Sequence, residues 1–375
     1  MAGIPTAFSP TAPRRYRVWL RYMLLLCAAT LVLAACADDD DPVDDDADPA
    51  AEPEEDVDDA DDEVDEPDDA DDEADDAEEE VSGDVEEMTL SFGHGDATDH
   101  PVHFVAEMFA ERVEELTDGA VTTEIFPSNQ LGSWEEMQES LEVGSLDVHI
   151  ESIGSLERFT DYSAIEGVPF LYDDDEHFID VWDSELSEEI METVREDSGF
   201  LLLGQLYRGP RQLNTVDPVE SVDDLPGLQL RVPNQQSFLD IWDALGTSPT
   251  PMSLDEVYTA LEQGVIDGQE NPIDQIRFSR MYEVAPNVTL TTHVYGNFHL
   301  QLWDETFQSW DPQLQDAVRT AADEMSEWYI ENTLNAMDEN LAFLEEEGVN
   351  IIEVDLEEWR AQVEDHVETM DPQIQ

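Results

Sequence analysis

Residues 88–126 read MTLSFGHGDATDHPVHFVAEMFAERVEELTDGAVTTEIF, and this stretch decides the fold class. Apolar and polar residues alternate over 88–92, which predicts a short strand. Apolar residues then recur at helical spacing over 102–116, directly after a proline that suits the first turn of a helix. A second alternation over 121–125 predicts another strand. A strand–helix–strand unit favours parallel strands covered by helices, so the sequence predicts an α/β fold.

One helix–strand pattern occurs twice along the chain. Ser133-x-x-Glu136 and Ser253-x-x-Glu256 have the form of a capping box. Each is followed by Leu-Glu, Gly and Asp at offsets of 8, 9, 11 and 14 from the serine. Each copy therefore predicts a capped helix, a glycine stop and a short strand. Two explanations remain open: repeated use of a common α/β unit, or two similar α/β lobes.

The rest of the folded part continues the alternation of strands and helices. The run Phe200–Leu203 is apolar throughout, which is typical of a strand buried on both faces. A long helix is predicted over 312–347, then a strand over 349–354 and a helix over 356–367. In such sheets, ligands bind in the crevice beyond the carboxyl ends of the strands.

The charge of the chain excludes some classes of partner. It has 375 residues, 95 acidic and 14 basic, and a net charge of −81. All the basic residues are arginine, and such a surface argues against nucleic acid and anionic lipid as partners. Self-repulsion at this charge is screened at high salt, so we expect a halophilic protein whose melting temperature rises with salt.

The first 36 residues are predicted to be a signal peptide with a lipobox. Arg14, Arg15, Arg17 and Arg21 precede the apolar run 23–35, which is short for a membrane span. The sequence Leu33-Ala34-Ala35-Cys36 resembles a lipoprotein lipobox, so we expect lipidation of Cys36 and a membrane anchor. The alternatives are an ordinary signal peptide with an incidental cysteine, or a twin-arginine signal.

An acidic segment follows the signal. Residues 38–87 hold 32 acids and no cation, so 37–87 are predicted to be a disordered spacer, with cation buffering as the alternative. The folded part has no cysteine, which excludes disulfides and thiol catalysis there.

Enzyme signatures are missing from the sequence, which contains no G-x-S-x-G, H-E-x-x-H, P-loop or G-x-G-x-x-G motif. We therefore expect no catalytic activity and no cofactor. His94, His100 and His103 lie close together, but no fourth ligand is evident and no metal is predicted. Helix capping and surface exposure are the expected roles of these histidines.

Arg231 stands out because the folded part has only ten cations. Leu230 and Val232 would face the core, so Arg231 faces the other side, near the carboxyl end of its strand. A guanidinium removed from water costs free energy unless an anion meets it, and a carboxylate fits its fork with two parallel hydrogen bonds. Two interpretations remain open: an internal salt bridge, or a binding site for a small carboxylate.

Four segments carry a resemblance to a known family. They are LQLRVPN at 228–234, PTPM at 249–252, GVIDGQENP at 264–272 and FPSNQLG at 126–132. They are similar to motifs of the substrate-binding proteins of TRAP transporters, the DctP family, and occur in the same order. The resemblance runs from about Met88 to past Met325.

The resemblance implies two α/β lobes joined by crossing strands and a long helix. It places lobe I at 88–208 and 297–336, and lobe II at 209–296 and 337–375. It implies that Arg231 clamps the substrate carboxylate and that Asn271 hydrogen-bonds to it, with Arg211 nearby. Other positions that line the cleft in relatives are Asn234, Glu151 and His293.

The resemblance also implies a small organic acid as ligand and membrane permease subunits as partners. A C4-dicarboxylate or another short carboxylate is favoured over sialate, and ectoine is considered because of the salt argument. The alternatives are a solute-binding protein of an ABC importer, a secreted hydrolase with paired carboxylates, or a structural surface lipoprotein.

Overall fold

The computed structural model describes residues 85–367. The predicted signal peptide, the lipidation site Cys36 and all but the last three residues of the acidic spacer lie outside the described residues.

Strands and helices alternate along the described part. The strands are β1 Met88–Gly93, β2 Val121–Phe126, β3 Val148–Ser152, β4 Phe200–Thr215, β5 Gln229–Val232, β6 Ser248–Pro251, β7 Gly268–Pro272, β8 Asn287–Leu290, β9 Tyr295–Trp303 and β10 Asn350–Glu353. The helices are α1 Pro101–Leu116, α2 Trp134–Glu142, α3 Asp175–Trp182, α4 Glu185–Ser198, α5 Gln236–Ala244, α6 Leu254–Glu262, α7 Ile273–Phe278, α8 Asp304–Ser309, α9 Pro312–Glu346 and α10 Leu356–Val367. Within 85–367, no helix has the length and apolar character needed to span a membrane.

The strand–helix–strand unit that opens the folded part is confirmed. β1 and β2 pair in parallel, with Phe92 opposite Ile125. The helix α1 buries Val102, Val105 and Phe109 against this sheet, and the rings of Phe92 and Phe109 meet edge to face at 5.3 Å. Burial of this apolar stripe holds α1 in place.

The strands form a sheet in the order β2-β1-β3-β9-β4-β7-β5-β6, and β8 pairs with β4 and β10. β4 is 16 residues long; its first part pairs with β9 and its second part with β7 and β8. It therefore runs from one half of the molecule into the other, and the 35-residue helix α9 packs along it. Separate apolar clusters lie in each half. This is the expected two-lobed α/β fold joined by crossing strands and a long helix.

A glycine permits the close packing of α9 on β4. Gly204 has a φ of +68°, and a Cβ atom there would lie 3.0 Å from the carbonyl oxygen of Ala322. The neighbouring backbone N–H of Gln205 donates to Ser326 Oγ at 2.8 Å. A larger side chain at 204 would push the helix away from the strand.

Both copies of the repeated pattern fold as a helix, a glycine stop and a strand, but only the first forms its capping box. Ser133 and Glu136 exchange both hydrogen bonds. Ser253 instead donates its hydroxyl to the carboxylate of Asp255 at 2.5 Å. The prediction of a second capping box was therefore wrong, because a charged acceptor two residues away orients the hydroxyl instead.

Candidate functional site

The first predicted arginine, Arg211, is already neutralised by the protein. Its Nε and Nη2 atoms donate to the Glu270 carboxylate at 2.5 and 2.8 Å. Nη2 also donates to Asn271 Oδ1 at 3.1 Å. All three residues are at least 96 % buried, so Arg211 holds β7 to β4 and offers no free charge to a ligand.

Glu270 is the centre of a buried polar network. His293 Nε2 lies 3.0 Å from its Oε2, and His293 Nδ1 lies 2.8 Å from Thr291 Oγ1. Burial alone would raise the pKa of Glu270, but Arg211 and the His293 hydrogen bond lower it to about 2. Glu270 therefore stays ionised, and the predicted residue His293 orients it from a position that is 0 % exposed.

Arg231 differs from Arg211 because it forms no ion pair with any residue of the described part. The side chain is 3 % exposed, and its Nε donates to the Met252 carbonyl at 2.8 Å. Burial lowers the pKa of Arg231 to about 10, although the carboxylates of Glu270 and Glu151 oppose this. Within 85–367 the internal salt bridge is thus not found, and the terminal nitrogens of the fork are left for another acceptor.

An enclosed cavity of about 50 Å³ lies between the two halves of the molecule. Its lining includes the polar residues Asp96, Asn129, Glu151, Ser253 and Gln275. Arg231 is not among the residues that line this cavity, but its Nε binds the carbonyl of Met252, which directly precedes the lining residue Ser253. The volume holds only a few water molecules, so the cleft between the two halves is narrow here.

Glu151 is the predicted residue that lines this cavity. Its Oε1 accepts the backbone N–H of Ser152 at 2.8 Å. Burial raises the pKa of the Glu151 carboxyl to about 7, although this hydrogen bond and the charge of Arg208 lower it. The carboxyl can therefore accept or donate a hydrogen bond near neutral pH.

We expect Glu151→Gln to raise the free energy of unfolding by about 1–2 kcal/mol at pH 8, and by less at pH 5. Because the folded-state pKa lies above the ordinary value of 4.5, the wild type loses stability as the pH rises from about 4.5 through 7. Glutamine removes that loss. Urea unfolding at both pH values measures it, with Glu114→Gln, on the exposed side of α1, as the control. A gain that does not depend on pH would contradict the assignment.

The other predicted residues lie apart from the enclosed cavity. Asn271 is buried and donates to Gln269 Oε1 at 2.6 Å while accepting from Arg211. Asn234 is exposed, donates to Glu135 Oε1 at 3.3 Å, and lines an open groove of about 570 Å³. The structure therefore gathers Arg211, Asn271 and His293 around Glu270, and leaves Asn234 at the outside.

The histidines near the start of α1 are partly as expected. His100 caps the helix by accepting the Val102 N–H at 3.1 Å. However, His94 is 0 % and His100 is 1 % exposed, so the expected surface exposure was wrong for both. His94 Nε2 lies 3.0 Å from His103 Nδ1, because the loop after β1 folds back under α1. Among residues 85–367, no group of three or more His, Cys, Asp or Glu is arranged to hold a metal ion.

Sequence reasoning missed several residues around the cleft. Glu270 is part of the GQENP motif, yet only Asn271 beside it was assigned a role. Asp96 and Gln275 line the cavity from segments that are far apart in sequence. Arg208, three residues before Arg211, is 6 % exposed and donates to Gln275 Oε1 at 3.1 Å. The rarity of cations in the folded part is the sequence feature that could have pointed to Arg208 as a functional residue.

A two-lobed α/β molecule with a cleft between its halves, and with a buried guanidinium that forms no ion pair within 85–367, has the architecture of a solute-binding protein. The sequence model of the family "Bacterial extracellular solute-binding protein, family 7", DctP, matches residues 92–373. The chain belongs to this family.

Relatives of known structure agree with this assignment. A solute-binding protein of Roseobacter denitrificans is 36 % identical over 282 residues, covering 75 % of this chain and 86 % of the relative. A TRAP periplasmic solute-binding protein of that organism, solved with L-galactonate, superposes with a TM-score of 0.74 at 34 % identity, covering 77 % of this chain and 97 % of the other. The sugar acid-binding protein DctPAm of Advenella mimigardefordensis, solved with galactonate, gives a TM-score of 0.75 at 28 % identity, covering 78 % and 95 %.

Proposed function

We propose that this chain is an extracytoplasmic solute-binding lipoprotein of a TRAP transporter, which captures a small organic carboxylate and delivers it to membrane permease subunits. The observation that carries the proposal is the Arg231 guanidinium, buried and without an ion pair in the described part. Such a group is stabilised when a ligand carboxylate supplies the missing charge and two parallel hydrogen bonds.

The proposed mechanism is closure of two lobes over the ligand. The lobe boundaries are those expected from the sequence, 88–208 with 297–336 and 209–296 with 337–375. The ligand enters when the lobes separate, pairs with Arg231 and is enclosed as water leaves. Each charge-assisted hydrogen bond then strengthens because the local dielectric falls. Asn271 and Arg211 support the site by fixing the strand β7 beside Arg231.

We propose that the ligand is a hydroxylated monocarboxylate of the sugar-acid type. The cavity is lined by the carboxyl groups of Asp96 and Glu151 and by the amide of Gln275, with no cationic side chain from residues 85–367. Ligand hydroxyls would donate to these acceptors, whereas a second carboxylate would be repelled by them. The galactonate in the two solved relatives supports this class over the C4-dicarboxylate first favoured.

The proposed location is the outer face of the cell membrane, since the family consists of extracellular solute-binding proteins. Cys36 would carry the lipid, and residues 37–87 would separate the folded part from the membrane. The lipobox pattern and the acidic composition support this arrangement. Mass spectrometry of the protein from membranes would test the lipid on Cys36.

We expect aldonates and uronates to raise the melting temperature in several molar salt, while succinate and ectoine raise it less. A ligand at one hundred times its Kd stabilises the folded state by about 2.7 kcal/mol. A thermal-shift panel of carboxylates, with neutral sugars as controls, measures this. Equal effects of succinate and galactonate would contradict the sugar-acid class only. Stabilisation by neutral sugars and by no carboxylate would contradict the proposed function itself.

A further inference from the structure

A second cavity, of about 640 Å³ and about as open to solvent as the groove that Asn234 lines, has Arg208 in its wall. Its lining comes from the start of α1, the bend of β4, α7 and the middle of α9. Much of its wall is apolar and aromatic, from Phe104, Phe278, Trp328 and Met337. Volume and lining are those of a small-molecule site, and its walls come from elements of both halves.

Arg208 opens into this cavity with unused hydrogen-bond donors. Its guanidinium carbon lies 3.8 Å above the ring of Phe298, and Nη2 donates to Gln275 Oε1 at 3.1 Å. Nε and Nη1 make no hydrogen bond with residues 85–367, nor does the guanidinium form an ion pair there. The side chain is 6 % exposed, so this cation is almost fully buried and lacks a counter-charge in contact. Such a group favours an anion beside it.

The other charges around the cavity are already engaged or lie at its rim. Arg277 donates to Asn340 Oδ1 at 2.5 Å and packs over the ring of Phe343. Asp274 accepts the backbone N–H of Gln275 and lies 3.8 Å from His100 Nε2. The remaining acids that line the cavity, Asp99, Asp338 and Glu339, are exposed. Arg208 is therefore a buried cation in this lining that forms no ion pair within 85–367, while Asp274 places a buried carboxylate on the same wall.

We propose that this cavity binds a second ligand, a small carboxylate with an aromatic body, and does so independently of the cleft. The carboxylate pairs with the free donors of Arg208, and the apolar body packs between Phe104, Phe278 and Trp328.

Calorimetry on the full chain tests the proposal with phenylacetate as the probe and neutral phenylacetamide as its matched analogue. Phenylacetate is expected to bind with one-to-one stoichiometry, and phenylacetamide about tenfold to a hundredfold more weakly, because the charge-assisted hydrogen bonds are lost. Arg208→Gln should weaken phenylacetate binding by a similar factor. Phe104→Ser should weaken it several-fold; Phe104 is 46 % exposed, so this variant is expected to fold even if Arg208→Gln does not.

Two control variants test whether phenylacetate binds in this cavity rather than in the cleft, and whether the loss of any positive charge weakens its binding. Arg231→Lys and Arg280→Gln should leave phenylacetate binding unchanged. The proposal is overturned if phenylacetate does not bind at millimolar concentration, if Phe104→Ser has no effect, or if Arg231→Lys abolishes binding, since the last result places the probe in the cleft. These outcomes are independent of the thermal-shift result with sugar acids.

Discussion

Arg231→Lys weakens binding of the cognate carboxylate by about 1–3 kcal/mol, and Arg231→Met weakens it further, by about 2–5 kcal/mol in total. Lysine keeps the positive charge but loses the planar fork that pairs with both carboxylate oxygens. Methionine removes the charge and leaves a desolvated carboxylate without a partner. Calorimetry with the sugar acid that gives the largest thermal shift measures both differences.

The exposed arginine Arg280 provides the matched control. It pairs with Glu283 at the surface, and Arg280→Lys should leave ligand affinity unchanged. Equal affinity of wild type and Arg231→Lys would contradict the proposed clamp. In the wild type, Arg231 donates a hydrogen bond to the Met252 carbonyl, so a variant that lacks this donor is also expected to be less stable. The melting temperature of each variant without ligand therefore distinguishes a loss of binding from a loss of folding.

The secondary structure was predictable because its patterns are strong and local. The alternation before Gly93, the helical spacing of α1 and the uninterrupted run of α9 each depend on neighbours within one element. The apolar strand neighbours Leu230 and Val232 also singled out Arg231, although they left open whether it forms an internal salt bridge or binds a ligand. Local periodicity thus determined most of the element order and the residue on which the proposed function depends.

The partners of buried charges could not be predicted in the same way. Arg211 and Arg231 both lie in largely apolar strands, and only the antiparallel register of β4 on β7 brings Glu270 beside Arg211. The burial of His100 depends on Asp274 and Phe278, which are more than 170 residues away in the chain. Such contacts depend on how the halves pack, and an acidic sequence offers many competing partners for each cation.

Glu270→Gln lowers the free energy of unfolding by about 3–5 kcal/mol at neutral pH, because it leaves the Arg211 charge buried without its counter-charge. Glutamine keeps the size of the side chain, so packing changes little. In the wild type the folded-state pKa of Glu270, about 2, lies below its ordinary value of 4.5. The ion pair with Arg211 and the His293 hydrogen bond together therefore contribute roughly 3 kcal/mol above pH 4.5, which is lost as the pH falls toward 2.

Urea unfolding at constant salt measures the effect, and two further variants show whether the unpaired charge causes it. Glu283→Gln breaks an exposed pair with Arg280 and should leave the unfolding free energy unchanged. The double variant Arg211→Met/Glu270→Leu removes both charges and should recover much of the stability, since a well-packed apolar pair often replaces a buried ion pair without loss. If Glu270→Gln is as stable as the wild type, Arg211 has another counter-charge, and its assignment as a neutralised structural residue is wrong. In that case Arg211, like Arg231, would be available to a ligand, and Arg211→Lys would weaken carboxylate binding.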